Sequence, residues 1–174
     1  QHLSSENQII AKQSWLQSAF IGQAKTEPKN WIEPMQVQSW GYRRKARLGV
    51  RYVAKKEKVL VGFRERKSSF ITVMSRCEVL HPSLGDNLEI IAEYIGKLSI
   101  REHIPQIEAA IAELDTILIL RHLQPLTETD ESILKECGEK LSINWYTQSG
   151  GLDTIKPLIE AVTLTYSIPD HKIE

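Results

Sequence analysis

Eleven of the chain's 22 basic side chains fall between residues 43 and 67, a stretch that holds only two acids, Glu57 and Glu65, and so carries a net charge of +9. Residues 1–42 are balanced, with three Lys against three Glu, and residues 68–174 set eight basic against seventeen acidic side chains, so the whole chain sums to zero. A local asymmetry of this size points to an anionic partner at one place on the surface. Its plain alternative is a solvated hairpin whose edge is guarded by cations. Arg43, Arg44, Lys45, Arg47, Arg51, Arg64 and Arg66 are the candidate contacts, because a guanidinium meets phosphate bidentately and stacks on an exposed base. Cys77 and His81 have a C-x3-H spacing that could form half of a metal site, but two ligands do not hold a transition metal. Cys137 lies on an apolar helical face, where a thiol behaves as a small hydrophobe. The five His are scattered, and no G-x-S-x-G, P-loop, H-E-x-x-H or strand-linked G-x-G-x-x-G occurs, so hydrolase and nucleotide chemistry have no footing here.

The elements that must position the cations follow from periodicity. Residues 4–25 read as a helix: Ile9, Ile10, Gln13, Leu16 and Phe20 recur at helical spacing behind a Ser4 or Ser5 cap, and Pro28 and Pro34 end it. A proline-broken connection follows, with Trp31 and Met35 as expected anchors. The period then becomes two. Leu48, Val50 and Tyr52 alternate with Arg47 and Arg51, and Val59, Val61 and Phe63 alternate with Leu60, Gly62, Arg64 and Arg66, which predicts a β-hairpin turning through residues 54–58. Residues 70–74 read as a third strand beside it. From Pro82 the stripe Leu84, Leu88, Ile91, Ile95 and Leu98 predicts one helix. Residues 104–112 fit a helix by composition and a strand by alternation, whereas 116–120 read as a buried strand. Thr127 with Asp130 three residues on caps a helix bearing Ile133, Leu134, Cys137 and Leu141. Strands at 142–147 and near 162–166, either side of a Gly150-Gly151 turn, complete an α+β class: an antiparallel sheet built from hairpins, with helices packed on one face.

At 41% hydrophobic and 25% charged residues the composition is globular. No apolar run reaches a membrane span's length. The start, QHLSSENQII, has neither a basic nor an apolar signal region, which fits a reducing, cytoplasmic compartment. It also lacks an initiator Met, and the end falls within an apolar/polar alternation, so the chain is expected to be a piece of a longer protein. The expected division is residues 1–40, helix and connection, and residues 41–174, an α+β domain.

Three blocks in order carry a resemblance: residues 41–48 (GYRRKARL), 61–65 (VGFRE) and 75–82 (SRCEVLHP), followed by 116–122 (TILILRH) with Leu126 shortly after. The chain resembles the middle of the 23S ribosomal RNA uracil-C5 methyltransferases over nearly its whole length. The resemblance implies an N-terminal OB-like RNA-binding domain, a central domain with a [4Fe–4S] cluster and a C-terminal domain that binds S-adenosylmethionine, with this chain as the central domain. It implies that Cys77 is one of four cluster ligands, the other three lying upstream of Gln1, and that the nucleophilic cysteine, general base and cofactor site lie beyond Glu174. It also resolves residues 104–112 as a strand paired with 116–121, against local propensity.

The expected function is therefore that of the RNA-contacting, cluster-supporting domain of an S-adenosylmethionine-dependent enzyme acting on 23S rRNA. The family chemistry is addition of a thiolate to uracil C6, methyl transfer to C5 and loss of the C5 proton. Arg47 corresponds to a family residue that reaches toward the target uridine. The piece alone is expected to be inactive, with no bound cofactor, no membrane association and no obligate protein partner. Alternatives are a related uracil-C5 methyltransferase acting on another rRNA site or on tRNA, and a stand-alone, non-catalytic RNA-binding module. The tRNA branch lacks the cluster, so Cys77 counts against it.

Overall fold

The computed structural model describes residues 3–167, and the chain divides into two compact units, Gln1–Ser39 and Trp40–Glu174. His2 and His171 lie outside the described residues.

In the first unit, helix α1 (Ser5–Gly22) starts at Ser4, whose hydroxyl accepts the Asn7 N–H at 3.3 Å. It stops three residues short of the expected end, and Lys25 takes a left-handed φ of 47°. The helix buries none of its own residues: Ile10, Trp15 and Ile21 are all exposed. Of the two expected anchors, Trp31 packs edge-to-face on Phe20 at 5.9 Å, whereas Met35 is 92% exposed and anchors nothing in this unit.

The second unit is a six-stranded sheet of order β2-β1-β3-β4-β5-β6. Strands β1 (Lys45–Val53) and β2 (Lys58–Gly62) form the expected hairpin, turning through a short 3-10 segment at Ala54–Lys56 with Glu57 left-handed. Beyond the short α2 (Pro82–Gly85) and α3 (Leu88–Gly96), β3 (Gln106–Ile111) and β4 (Thr116–Arg121) make a second hairpin, so the strand reading of residues 104–112 stands. Ile107, Ala109 and Ile111 are buried while Gln106, Glu108 and Ala110 are not, a period of two that Ala and Glu helix propensity could not outweigh once both edges found partners. Helix α4 (Glu128–Leu141) then carries the chain back along the sheet, so β5 (Asn144–Gln148) lies parallel to β4. β6 (Lys156–Pro157) closes the edge.

One face of the sheet and the helices share the core. Leu48, Val50, Val59, Val61, Ile107, Leu118, Leu120 and Trp145 meet Leu84, Leu88, Ile91, Ile95, Leu134 and Cys137, all buried. The class is α+β, mostly antiparallel, as the sequence implies.

Four expected elements differ. The stripe from Leu84 to Ile95 is carried by two helices rather than one, because Gly85, Asp86 and Asn87 are poor helix formers in succession; Leu98 lies just past the α3 C-cap, and Leu84, Leu88 and Leu98 all stay buried. The strand expected at 142–147 starts at Asn144, since Ser142 takes a left-handed φ of 55° as the α4 C-cap. Residues 70–74 never join the sheet; their one ladder contact is the isolated bridge between Arg64 and Ile71. Residues 162–166 form no strand: β6 ends at Pro157, Leu158 N–H makes one further bond to Trp145 O at 2.9 Å, and beyond it Val162 N–H donates to the Tyr146 side-chain Oη at 2.8 Å rather than to a strand carbonyl.

Candidate functional site

Residues 45–51 are a strand with period two, so burying Ala46, Leu48 and Val50 against the helices turns Lys45, Arg47 and Arg51 to the opposite face, as expected. The register adds neighbours that the sequence did not offer. Arg47 sits opposite Glu108, and Gln106 opposite Arg121. Antiparallel partners share a face, so Gln106, Glu108 and Arg121 stand on the same open surface as Arg47. Arg47 Nη2 donates to Glu108 Oε1 at 2.8 Å, and Gln106 Nε2 donates to the same oxygen at 2.8 Å. With its side chain 69% exposed, Arg47 keeps its remaining N–H groups free for an anion or a base while the carboxylate holds one edge of the guanidinium. The sequence reading missed both Glu108 and Arg121. The alternation of Gln106 and Glu108 with Ile107 and Ala109 was the available signal, but it does not say which strand pairs with it.

The cations leading into β1 are tied to backbone and ring. Arg43 Nε donates to Lys45 O at 3.2 Å with its guanidinium 5.2 Å from the centre of the Phe63 ring, and Arg44 Nη1 donates to Ala112 O at 2.8 Å. Arg64 and Arg66 are not on β2, as the hairpin reading expected. The strand ends at Gly62, and residues 63–72 form a small separate hairpin: Thr72 N–H donates to Phe63 O at 2.9 Å and Glu65 N–H to Phe70 O at 3.0 Å.

This hairpin folds over the open face because Gly49 and Gly62 lie directly opposite one another there. A Cβ on Gly62 would stand 2.7 Å from Thr72 O, and one on Gly49 would stand 3.0 Å from Ile71 Cδ1. Two bare positions thus form a seat for Ile71 and leave no room for a side chain. Of the seven candidate cations, three share the sheet face, two lie in the lead-in and two belong to this flap.

The lead-in is also joined to the cysteine. Arg43 forms a parallel bridge with Leu80, and Gly41 N–H donates to Glu78 O at 2.8 Å, so residues 41–43 and 78–81 run side by side. Cys77 is half-buried, with its N–H bonded to Gly85 O at 3.0 Å. His81 is not aimed at a shared metal. It caps α2, its Nδ1 2.9 Å from Ser83 Oγ, and burial together with the nearby Arg44 charge holds it below the usual histidine range. Cys137 is fully buried, and desolvation pushes its thiol up to about 11, so it stays protonated. Among the described residues no group of three or more His, Cys, Asp or Glu gathers to hold a metal. A four-thiolate cluster would find one donor here, Cys77, and the residues present cannot hold it unaided. The only parallel β-α-β crossover among the described residues runs from β4 to α4 through HLQPLT, which contains no glycine. No described helix is long and apolar enough to cross a membrane.

No family model matches the chain. Curated relatives do, along nearly all of it. A 23S rRNA (uracil(1939)-C(5))-methyltransferase RlmD from Vesicomyosocius okutanii subsp. Calyptogena okutanii is 61% identical over 173 residues, covering 99% of this chain and 39% of the relative. Proteins of the same name from Cupriavidus necator and Methylococcus capsulatus are 41% and 42% identical over 174 and 175 residues, and the chain covers 40% of each. It therefore spans about two-fifths of the length of these relatives, and over nearly its whole own length it is similar to that stretch of 23S rRNA uracil-C5 methyltransferases.

Proposed function

We propose that this segment is the RNA-contacting domain of an enzyme that methylates C5 of a uridine in 23S rRNA with S-adenosylmethionine as donor. The observation that carries the reading is the open sheet face, where Lys45, Arg47, Arg51 and Arg121 stand together on the side that the helices leave bare. S-Adenosylmethionine supplies the methyl group, and the segment's own residues hold and orient the RNA. Residues 41–174 act as one domain, with 1–40 as an appended helix and connection. Cys77 supplies one of four thiolates of an iron–sulfur cluster whose other ligands precede Gln1.

Arg43, Arg44 and Lys45 act mainly on phosphates. Arg47 acts on the substrate nucleotide, with Glu108 holding one end of its guanidinium and leaving the other N–H groups free for the base. For about five phosphate contacts with single-stranded RNA, log affinity should fall with log salt at a slope of roughly −3.5, and each cation removed should flatten it by about 0.7. In the intact enzyme Arg47→Ala should lower turnover more than RNA affinity, and Arg47→Lys should not restore it, since a point charge cannot keep both the Glu108 contact and a planar contact to a base. Methylation kinetics and salt-dependent binding for single alanine variants across residues 43–66 test this. Affinity and slope unchanged throughout would make the patch a solvated edge.

The segment by itself should not bind S-adenosylmethionine, given the glycine-free β4–α4 connection. Calorimetric titration should show no saturable heat, and a micromolar isotherm would place the cofactor site within residues 1–174.

A further inference from the structure

We infer that Phe70 is a stacking platform for one unpaired base of the RNA, presented by the 63–72 flap; this rests on the RNA reading above. Ile71 is 7% exposed, seated on Gly49 and Gly62, so its neighbour Phe70 must point the other way, and it is 64% exposed. A lone exposed apolar side chain is ordinary. Phe70 differs in how firmly it is held and in what surrounds it.

The turn that carries it is closed by four hydrogen bonds: Thr72 N–H to Phe63 O, Glu65 N–H to Phe70 O, Ser68 N–H to Glu65 O at 3.3 Å, and Phe70 N–H to Ser68 Oγ at 3.0 Å. Lys67 takes the left-handed φ of 59° that the reversal requires. Between Phe63 and Met74 the chain carries Arg64, Arg66 and Lys67 against the single acid Glu65. Arg43, from the lead-in, lies over Phe63 at the base of the same hairpin. A fixed, outward aromatic ring among net positive charge matches the two parts of a single-stranded nucleotide, a flat base and an anionic backbone. A purely apolar protein partner would have to desolvate those three cations, which favours RNA as the occupant.

The two interactions separate experimentally, because stacking is insensitive to salt and phosphate contact is not. With the intact protein and a single-stranded RNA oligonucleotide carrying 2-aminopurine at successive positions, Phe70→Ala should weaken binding by about 5- to 150-fold at every salt concentration and leave the slope unchanged. One 2-aminopurine position should be quenched by the wild type and not by the variant, and Phe70→Trp should restore both affinity and quenching. Unchanged affinity and quenching in Phe70→Ala, with Arg64→Ala and Arg66→Ala still flattening the slope, would overturn the stacking role and leave the RNA reading intact. A lowered melting temperature of the intact protein with RNA affinity unchanged would show that protein covers Phe70, and would overturn it equally. If the cation variants and Phe70→Ala all leave binding untouched, the RNA reading falls and the platform with it.

Discussion

Asp130→Ala should cost the chain about 2.5–4 kcal/mol, although the residue lies on neither the sheet face nor the flap that carries the candidate contacts. Asp130 is 1% exposed. Its Oδ2 accepts from Thr127 N–H at 2.9 Å, Thr127 Oγ1 at 2.8 Å and Ser99 Oγ at 2.7 Å, and its Oδ1 accepts from Ser99 N–H at 2.7 Å. Thr127 Oγ1 in turn accepts the Asp130 N–H, which closes a capping box at the start of α4. One carboxylate therefore both starts the helix that returns the chain to β5 and pins the end of the α3 region to it. Losing the N3 half of the capping box costs about 1 kcal/mol, and stranding a buried donor that had an ionised partner costs about 1.5–3 kcal/mol more. Asp130→Asn, which keeps one acceptor and loses the charge, should cost about half as much. Urea unfolding of the three chains at constant m-value measures this, and a loss below about 1 kcal/mol for the alanine variant would show the network to be dispensable.

The same carboxylate sets a pH dependence with a definite sign. Burial alone would raise its pKa, but the hydrogen bonds from Thr127 and Ser99 outweigh burial and hold it below the usual carboxylate range. A group whose pKa is lowered on folding stabilises the fold above its unfolded value, about 3.9 for Asp, and loses that contribution as the pH falls through the lowered folded value. The stability gap between wild type and Asp130→Ala should thus be constant above pH about 5 and narrow progressively below about 4.

How far the sequence reached depends on whether the signal was local. Thr127 and Asp130 are three apart, and the box they predict is present. The alternation in 47–52 and 59–61 was enough for the β1–β2 hairpin, because a two-residue period leaves one face to bury. The β1–β3 pairing was not legible. Arg47 and Glu108 are 61 residues apart, and no local pattern states that their strands are neighbours, so the acid that holds the central arginine was missed. The flap failed for another reason: Phe70, Ile71 and Val73 have strand-like composition, yet what decides their path is the bare Gly49–Gly62 pair, which draws Ile71 across the sheet face instead of along its edge. Clustering in sequence likewise gave the sign of the patch and not its partition, since the seven cations divide among sheet face, lead-in and flap.

The second large effect belongs to the cysteines. Cys77→Ser in the intact protein should abolish the broad visible absorbance of an iron–sulfur cluster, and Cys137→Ser should leave it unchanged. The two thiols differ in ways the fold dictates. Cys137 is sealed against Trp145 and the sheet with its thiol raised to about 11, so at neutral pH it offers no thiolate, and reaching it would require opening the core. Cys77 is half-buried at the surface of the unit, its backbone held against Gly85, where a Cβ would collide with Cys77 O, and a serine at position 77 would replace a thiolate by a hydroxyl that iron binds poorly. The strand pairing gives a second readout. Because Arg43 is bridged to Leu80 and bonded to residues 79 and 81, losing the anchor at Cys77 should loosen Arg43 as well, and RNA affinity should fall about as much as in the Arg43→Ala variant, with the same flattening of the salt slope by about 0.7. Cys137→Ser should leave that slope alone. Iron content, the visible spectrum and the salt slope of the two variants decide the matter together: equal cluster loss in both, or in neither, removes Cys77 from the ligand set, and cluster loss with an unaltered slope breaks the link between the cysteine and Arg43.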